Sequence, residues 1–356
     1  MTLILSNDDV TRLLTIEECI AALDEGYREI GEGRAGNRTR SDIVTPTIHE
    51  GGLYALKSMD GVIPKRKVAA IRINSDILTW EMRAGNRVRV KKPAAPGDRY
   101  VGLVLLFSTD TGEPLAIFPD GVMQRLRVAA TSALGVKLLA RENAQTVALL
   151  GAGWQAGSQA MAVCAVRDVK EIRVYSPTPA TREAFCREMA NQVPARLTPM
   201  TSPEAAVKGA DIVLCATNSL GAVFKADWVE PGMHLGSIKP AELEPAAVGK
   251  AAVAVTHYHD NEPTIIRTHV DPAKEDKHGV RHEPTGIDED ALPTLPDLIL
   301  GRCRTRQSDK EITAFLNHAG LGYQFAVCGA ALLDKARAAK AGHELPTDWF
   351  TEDVHP

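Results

Sequence analysis

Residues 146–156 read Thr146-Val147-Ala148-Leu149-Leu150-Gly151-Ala152-Gly153-Trp154-Gln155-Ala156, an apolar strand joined to a helix by a turn almost without side chains. Such a turn is suited to holding a pyrophosphate. Gly151 permits the tight bend, Gly153 lets backbone N–H groups approach the phosphates, and Ala156 replaces a third glycine where helix and strand touch. The helix that follows turns its unpaired donors and positive dipole end toward the anion, and Trp154 and Gln155 open it. An Ala-rich helix over 155–167 and a second strand over 171–176 supply the context that a bare glycine motif lacks. They favour a dinucleotide site over a βα turn without a ligand.

Coenzyme choice is expected just after that second strand, where an acid would bind a ribose diol and repel a 2′-phosphate. The chain has no acid there and reads Tyr175-Ser176-Pro177-Thr178-Pro179-Ala180-Thr181-Arg182. Ser176, Thr178 and Arg182 suit a 2′-phosphate, so NADP(H) is favoured and NAD(H) stays open; alternatively, Arg182 only begins an exposed helix. Lys57 closes the apolar run Leu53-Tyr54-Ala55-Leu56, where a charge is unexpected unless it reaches a site. Burial beside other cations would lower its pKa into a range useful for proton transfer. The alternative is an exposed lysine at a strand end.

The elements that must position these residues follow from periodicity. Ser6 with Asp9 and Thr15 with Glu18 mark two capped helix starts, and Ile16, Ile20, Leu23, Tyr27 and Ile30 form one apolar stripe. Short strands are then predicted over 42–44, 53–57, 68–74 and 101–108, with a hairpin through Asp110-Thr111-Gly112 into 114–118. Residues 79–99 read as a polar excursion from that sheet, and the basic cluster from Arg83 to Lys92 as a solvated loop. A helix over 122–140 leads into alternating strands and helices, with further strands over 196–200, 211–216, 233–238 and 252–257. This alternation predicts a parallel, doubly wound sheet. A last helix, roughly 322–341, is expected to fold back onto the N-terminal part.

Composition bounds the function classes. The 356 residues are 44% apolar and carry a net charge of −4, enough for a large core and no reason to expect nucleic acid or an anionic membrane. Six cysteines without CxxC spacing, no basic leader before an apolar segment and no long apolar run lead us to expect a cytoplasmic protein that neither spans a membrane nor is exported. His257 and His259 precede Asp260 at a strand end, where alternate spacing would put both rings on one face. Without further ligands at metal spacing, a polar cap or a coenzyme contact is favoured over a metal.

Several landmarks then occur in order: Gly102-Leu103-Val104-Leu105-Leu106-Phe107 with Thr111-Gly112-Glu113-Pro114, Arg127-Val128-Ala129-Ala130, Leu139-Ala140-Arg141, the Gly151 bend, Ala210-Asp211-Ile212-Val213 with Ala216-Thr217-Asn218, and Pro231-Gly232-Met233-His234. On these the chain resembles the ornithine cyclodeaminase and mu-crystallin family. The resemblance implies an α/β fold, with a Rossmann-type doubly wound sheet over 126–317. A second α+β domain for substrate binding and dimerisation would comprise 1–125 plus 318–356. It also implies a cytosolic homodimer binding NAD(H) or NADP(H), and a small amino- or imino-acid substrate. Arg127 and Arg40 would hold the substrate carboxylate, which suits the two-pronged geometry of arginine. Arg38, on the same side of an extended segment, could replace Arg40. Lys57 would sit near the reacting carbon, and Thr217 and Asn218 would belong to the coenzyme site.

Departures from the pattern narrow the reaction. Gly236-Ser237-Ile238-Lys239 has an isoleucine where cyclodeaminases carry an aspartate, Val128 replaces a threonine, and Met123-Gln124 replaces Ile-Thr. Ornithine cyclisation, an ammonia-lyase reaction, is thereby demoted. The expected activity is that of an imine or ketimine reductase or, in reverse, an amino-acid dehydrogenase. A coenzyme-dependent binding protein like mu-crystallin is the alternative without chemistry.

Overall fold

The computed structural model describes residues 1–83, 86–219, 221–259, 264–269 and 286–353, the side chains of 83 and 86–88 excepted. Its strands form two sheets. The first joins β1 (Thr2–Ile4), β2 (Gly36–Pro46), β3 (Leu53–Ile63), β4 (Val68–Arg83), β5 (Asn86–Lys92), β6 (Val101–Ser108), β7 (Pro114–Pro119), β14 (Thr264–Arg267) and β16 (His343–Leu345). They run in the order β14-β2-β3-β4-β6-β7-β1-β16, with β5 paired to β4. The second holds β8 (Thr146–Leu150), β9 (Glu171–Tyr175), β10 (Arg196–Pro199), β11 (Ile212–Cys215), β12 (His234–Ser237), β13 (Val253–Thr256) and β15 (Thr313–Leu316). Its order is β10-β9-β8-β11-β12-β15-β13, and every pairing is parallel. That is a Rossmann-type doubly wound sheet, with the strand order reversing beside β8.

Helices α1 (Asn7–Leu13) and α2 (Ile16–Gly31) begin at the two expected capping boxes, in which Ser6 and Asp9, then Thr15 and Glu18, satisfy each other's backbone donors. Each cap contributes about 1 kcal/mol. The apolar stripe of α2 is buried throughout, against α3 (Gly121–Leu139) and α9 (Tyr323–Ala338). Helix α9 lies on β3 and β4, as expected for a last helix that returns to the first sheet. Small residues allow the contact. A Cβ at Gly61 would fall inside the backbone of Tyr323, and one at Gly322 inside that of Asp60. Flanking the parallel sheet are α4 (Trp154–Val166), α5 (Pro179–Met189), α6 (Pro203–Val207), α7 (Pro245–Val248) and α8 (Leu295–Ile299).

Several expectations are corrected. The predicted excursion after Thr79 is sheet as far as Lys92, because β4 runs on to Arg83 and pairs with β5 from Ile77↔Lys92 to Arg83↔Asn86, and among the described residues of that stretch only 93–99 lie outside the strands. The basic cluster there is therefore a hairpin strand and not a solvated loop. Lys57 does not end its strand: β3 continues to Ile63, held by β2 on one side and β4 on the other. The short strands β1, β14, β15 and β16 were not expected. The boundary drawn at 125/126 falls inside α3, which packs on both α2 and α4, while β14 joins the first sheet beside β2.

Candidate active site

The bend at Gly151 has the geometry its sequence implies. Gly151 has φ +129° and donates its N–H to Tyr175 O at 2.8 Å, and a Cβ there would overlap the Ala216 carbonyl. Gly153 is the N-cap of α4, with no side-chain cap, no acid in the first turn and open space where a Cβ would stand. The first N–H groups of this helix thus remain available to an anion. Ala156 is fully buried against the sheet, and the buried Gln155 Oε1 has no partner. Trp154 is largely exposed, with the Arg125 guanidinium 4.1 Å from its ring. These residues fit a dinucleotide diphosphate.

Beyond β9, Thr178 and Ser176 offer hydroxyls at an open edge. The start of α5 is exposed, but Arg182 itself is not. It is buried, donating Nη1–H to Ser176 O at 2.9 Å and lying over the Tyr175 ring, so its guanidinium braces this loop. Past β11, Asn218 is exposed, but Thr217 is engaged: its N–H and hydroxyl both donate to Glu242 Oε1, at 2.6 and 2.8 Å. Glu242 is fully buried and also accepts from Ile238 N, tying together the loops after β11 and β12. Burial raises its pKa. Nothing local in the sequence marked Glu242, because its partners are distant in the chain.

The inner face of the first sheet carries a row of buried polar side chains where an apolar face would be usual. Register places Asp42, Lys57 and Asn74 side by side. Lys57 Nζ donates to Asp76 Oδ2 at 3.0 Å and Lys91 Nζ to Asp76 Oδ1 at 2.9 Å, while Arg40 grips Asp42 with two bonds of 2.8 and 2.5 Å. Burial lowers the Lys57 pKa to about 8; Asp76 opposes this, and the charges of Lys91 and Arg40 add to it. Burial would raise the pKa of Asp76, but Lys57 and Lys91 hold it below the usual carboxylate range. Arg38 turns away instead, to Asp60 at the surface, on the other side of a bulge between Arg38 and Ser41. Lys91 was missed because its stretch read as a loop.

Arg127 lies in the first turns of α3, buried and with no carboxylate partner among the described residues. Its Nη1 donates to Gln324 Oε1 at 2.9 Å and its Nη2 to Gln124 Oε1 at 3.1 Å; its Nε has no partner. Gln324 is fixed in turn by donating to Tyr27 Oη and Thr131 Oγ1, and the Tyr27 hydroxyl meets Nε2 of His257. Burial, then Arg72, lowers the Arg127 pKa to about 10. Both guanidinia lie against Phe325, and Arg72 is paired to Asp120 at 2.7 Å. Gly320 brings the two halves together, since a Cβ there would lie 3.4 Å from Met59 and 3.9 Å from Arg127 Nη2. Met59 is two residues from Lys57 on the same face of β3. Six cations, Arg40, Lys57, Arg72, Arg89, Lys91 and Arg127, here meet three carboxylates, Asp42, Asp76 and Asp120. The surplus of three positive charges favours a carboxylate ligand.

The histidines part company. β13 ends at Thr256, so the alternation expected to align the rings does not reach them: His257 points to Tyr27 and His259 Nε2 to Leu292 O. Burial lowers the His257 pKa to about 3, keeping it neutral. Asp260, His278 and His282 lie outside the described residues. Ile238, at the position where an aspartate was sought, packs into the apolar cluster with Ala152 and Ala216.

Residues 1–339 match the model of the ornithine cyclodeaminase/mu-crystallin family, and the chain belongs to that family. It is 26% identical to an alanine dehydrogenase of Archaeoglobus fulgidus, over 97% of this chain and 98% of that one. It is 29% identical to a Delta(1)-pyrroline-2-carboxylate reductase of Bacillus cereus, over 68% of this chain and 74% of the other. Among solved structures, that of the Thermococcus litoralis Delta(1)-pyrroline-2-carboxylate reductase in complex with NADH and L-proline superimposes with a TM-score of 0.76 at 23% identity. That match covers 97% of this chain and all of the other.

Proposed function

We propose that this protein is an NAD(P)-dependent oxidoreductase acting on the C=N bond of a small α-imino acid or the CH–NH bond of the amino acid, that is, an imine or ketimine reductase or an amino-acid dehydrogenase. The observation that carries this reading is Arg127, a buried guanidinium without a carboxylate partner among the described residues. It lies across Gly320 from Met59, two residues along β3 from Lys57, and we place both in the crevice at the carboxyl ends of a dinucleotide-binding sheet. Relatives named as an alanine dehydrogenase and a pyrroline-carboxylate reductase support it.

Arg127 and Arg40 hold the substrate carboxylate, and Lys57 orients it or exchanges a proton with the reacting centre. Gly151, Gly153, Trp154, Gln155 and Ala156 receive the coenzyme phosphates, Ser176 and Thr178 the adenosine ribose with Arg182 behind Ser176, bracing the loop or turned to a 2′-phosphate, and Asn218, steadied by Thr217, the far half. When bound, the reduced nicotinamide supplies a hydride to the substrate α-carbon. NADP(H) is favoured because hydroxyls and an arginine, and no acid, follow β9. The coenzyme domain is built mainly from 126–317, with α3 shared at the boundary and β14 lent to the other sheet, and residues 1–125 with 318–356 supply most of the substrate domain. The half-exposed Ile43, Val101, Leu103 and Ile266 on the first sheet suit burial against a second copy, giving a homodimer in the cytoplasm.

A screen of 2-oxo acids against amines with NADPH and NADH, read by coenzyme oxidation, tests the reading. Turnover of at least one pair is expected, faster with NADPH. Ammonia release from ornithine without net coenzyme oxidation would favour the cyclodeaminase alternative. Tight coenzyme binding with no turnover would favour a binding protein.

A further inference from the structure

We propose that Ser237, His318 and Glu289 form a proton relay serving the substrate nitrogen, an inference that rests on the reductase reading above. Ser237 closes β12, and His318 stands two residues beyond the neighbouring β15. Ser237 Oγ is 2.8 Å from His318 Nε2, and His318 Nδ1 is 2.7 Å from Glu289 Oε1. Thr256, at the end of β13, donates its hydroxyl to Glu289 Oε2 at 2.9 Å. Three adjacent carboxyl ends of the dinucleotide sheet thus carry one continuous hydrogen-bonded chain, where ligands of such sheets bind.

Exposure marks Glu289 as the solvent end of the chain and Ser237 as its inner end. The Glu289 side chain is 25% exposed, that of His318 8%, and Ser237 2%. Both ring nitrogens of His318 are engaged, so a proton leaving Nε2 passes through the serine. The segment after His318 runs along the crevice wall, with Gly320 against Met59 and near Arg127, and Gly322 against the backbone of Asp60. The relay therefore borders the pocket that holds Arg127 and Lys57. A purely structural stitch is redundant here. β12 and β15 are already paired along their length, and Asn317 N donates to Ser237 O at 2.9 Å. Ile238, the next residue, has no proton to give.

In the reductive direction, hydride adds to the α-carbon and the C=N π pair moves onto nitrogen. That nitrogen takes the proton of Ser237 Oγ. The serine recovers one from Nε2 of the His318 imidazolium, which becomes neutral and regains its proton from solvent between turnovers. The products are the amine and oxidised coenzyme. Ser237 is the group that touches substrate; His318 and Glu289 act through it.

Steady-state reduction of an imine accepted by the wild type, with pH profiles and solvent isotope effects, tests the relay on S237A, S237T, H318N and E289Q. S237A is expected to lower kcat about a hundredfold or more at unchanged affinity for reduced coenzyme, measured by fluorescence titration, with S237T restoring a tenth or more of the wild-type rate. H318N is expected to lower kcat similarly and to abolish the solvent isotope effect carried by the relay, and E289Q to lower kcat less while leaving that isotope effect in place. A wild type that turns over while S237A and H318N both stay within threefold of it overturns the relay alone. A wild type that reduces no imine overturns the reductase reading and the relay with it.

Discussion

Replacing Lys57 by methionine keeps an unbranched side chain one atom shorter and removes its charge, so it isolates what that charge does in the fold. Lys57 has a folded-state pKa of about 8 against 10.5 ordinarily. A depression of that size corresponds to about 3 kcal/mol, the amount by which the fold disfavours the ammonium relative to the unfolded chain. Linkage fixes the sign. Below pH 8 the lysine is charged in both states and the penalty is felt in full. Between about pH 8 and 10.5 the folded protein releases the proton first, so the penalty fades and stability rises. The methionine variant has no such group. From pH 7 to pH 10.5 the wild type should therefore gain about 3 kcal/mol relative to K57M, whatever the other ionisations common to both proteins contribute. Urea unfolding at several pH values gives this double difference directly. If the two curves run parallel within about 0.5 kcal/mol, Lys57 is an ordinary solvated lysine and its role in the pocket falls with it. The same group should place an inflection near pH 8 in the wild-type kcat/KM profile that K57M lacks.

Three further substitutions divide the site. R127A should lower kcat/KM ten- to a hundredfold or more, the equivalent of about 1.5 to 3 kcal/mol for a charge-assisted contact, with coenzyme affinity little changed; unaltered kinetics would remove Arg127 from the substrate. G151A should weaken reduced-coenzyme binding at least tenfold in a fluorescence titration, because its Cβ meets the Ala216 carbonyl and its φ of +129° suits glycine alone; an unchanged Kd would move the phosphates elsewhere. R182A separates two roles for a guanidinium now bonded to Ser176 O. A tenfold loss of kcat/KM with NADPH but not NADH marks a 2′-phosphate contact, whereas equal loss with both marks only a brace for the loop.

Local signals in the sequence carried over well, and non-local ones did not. The Gly151 bend, the two capping boxes and the α2 stripe depend on residues within one or two turns of each other, and all three stand in the structure where the pattern puts them. β3 was cut short because Lys57-Ser58-Met59-Asp60 breaks the apolar run. Only the ladders to β2 and β4, set by residues up to 26 positions away, carry the strand through to Ile63. Three- and four-residue strands such as β1 and β15 give too short a pattern to read, and their places are settled by neighbours: β16 beside β1, β12 and β13 beside β15. The Lys57–Asp76–Lys91 cluster needed the β4–β5 hairpin, which a polar stretch concealed.

The polar row on the inner face argues for function in its own right. Asp42, Asp76, Asp120, Arg72 and Asn74 are all buried, and ion pairs taken out of water seldom stabilise a fold more than apolar side chains of the same volume would. One end of this face already shows the apolar solution, in the cluster of Val44, Leu53, Ala55 and Leu78. At the other end, Met59 and Ile63 enter the main core. The charges are confined to the middle, opposite the carboxyl edge of the dinucleotide sheet, where Gly320 and Arg127 close over β3. Stability alone would have continued the apolar face across this gap. A face that is apolar at both ends and charged only where it meets a coenzyme crevice is what a pocket for a small carboxylate requires. Its carboxylates hold the arginines and lysines in place while leaving a net positive charge for the substrate.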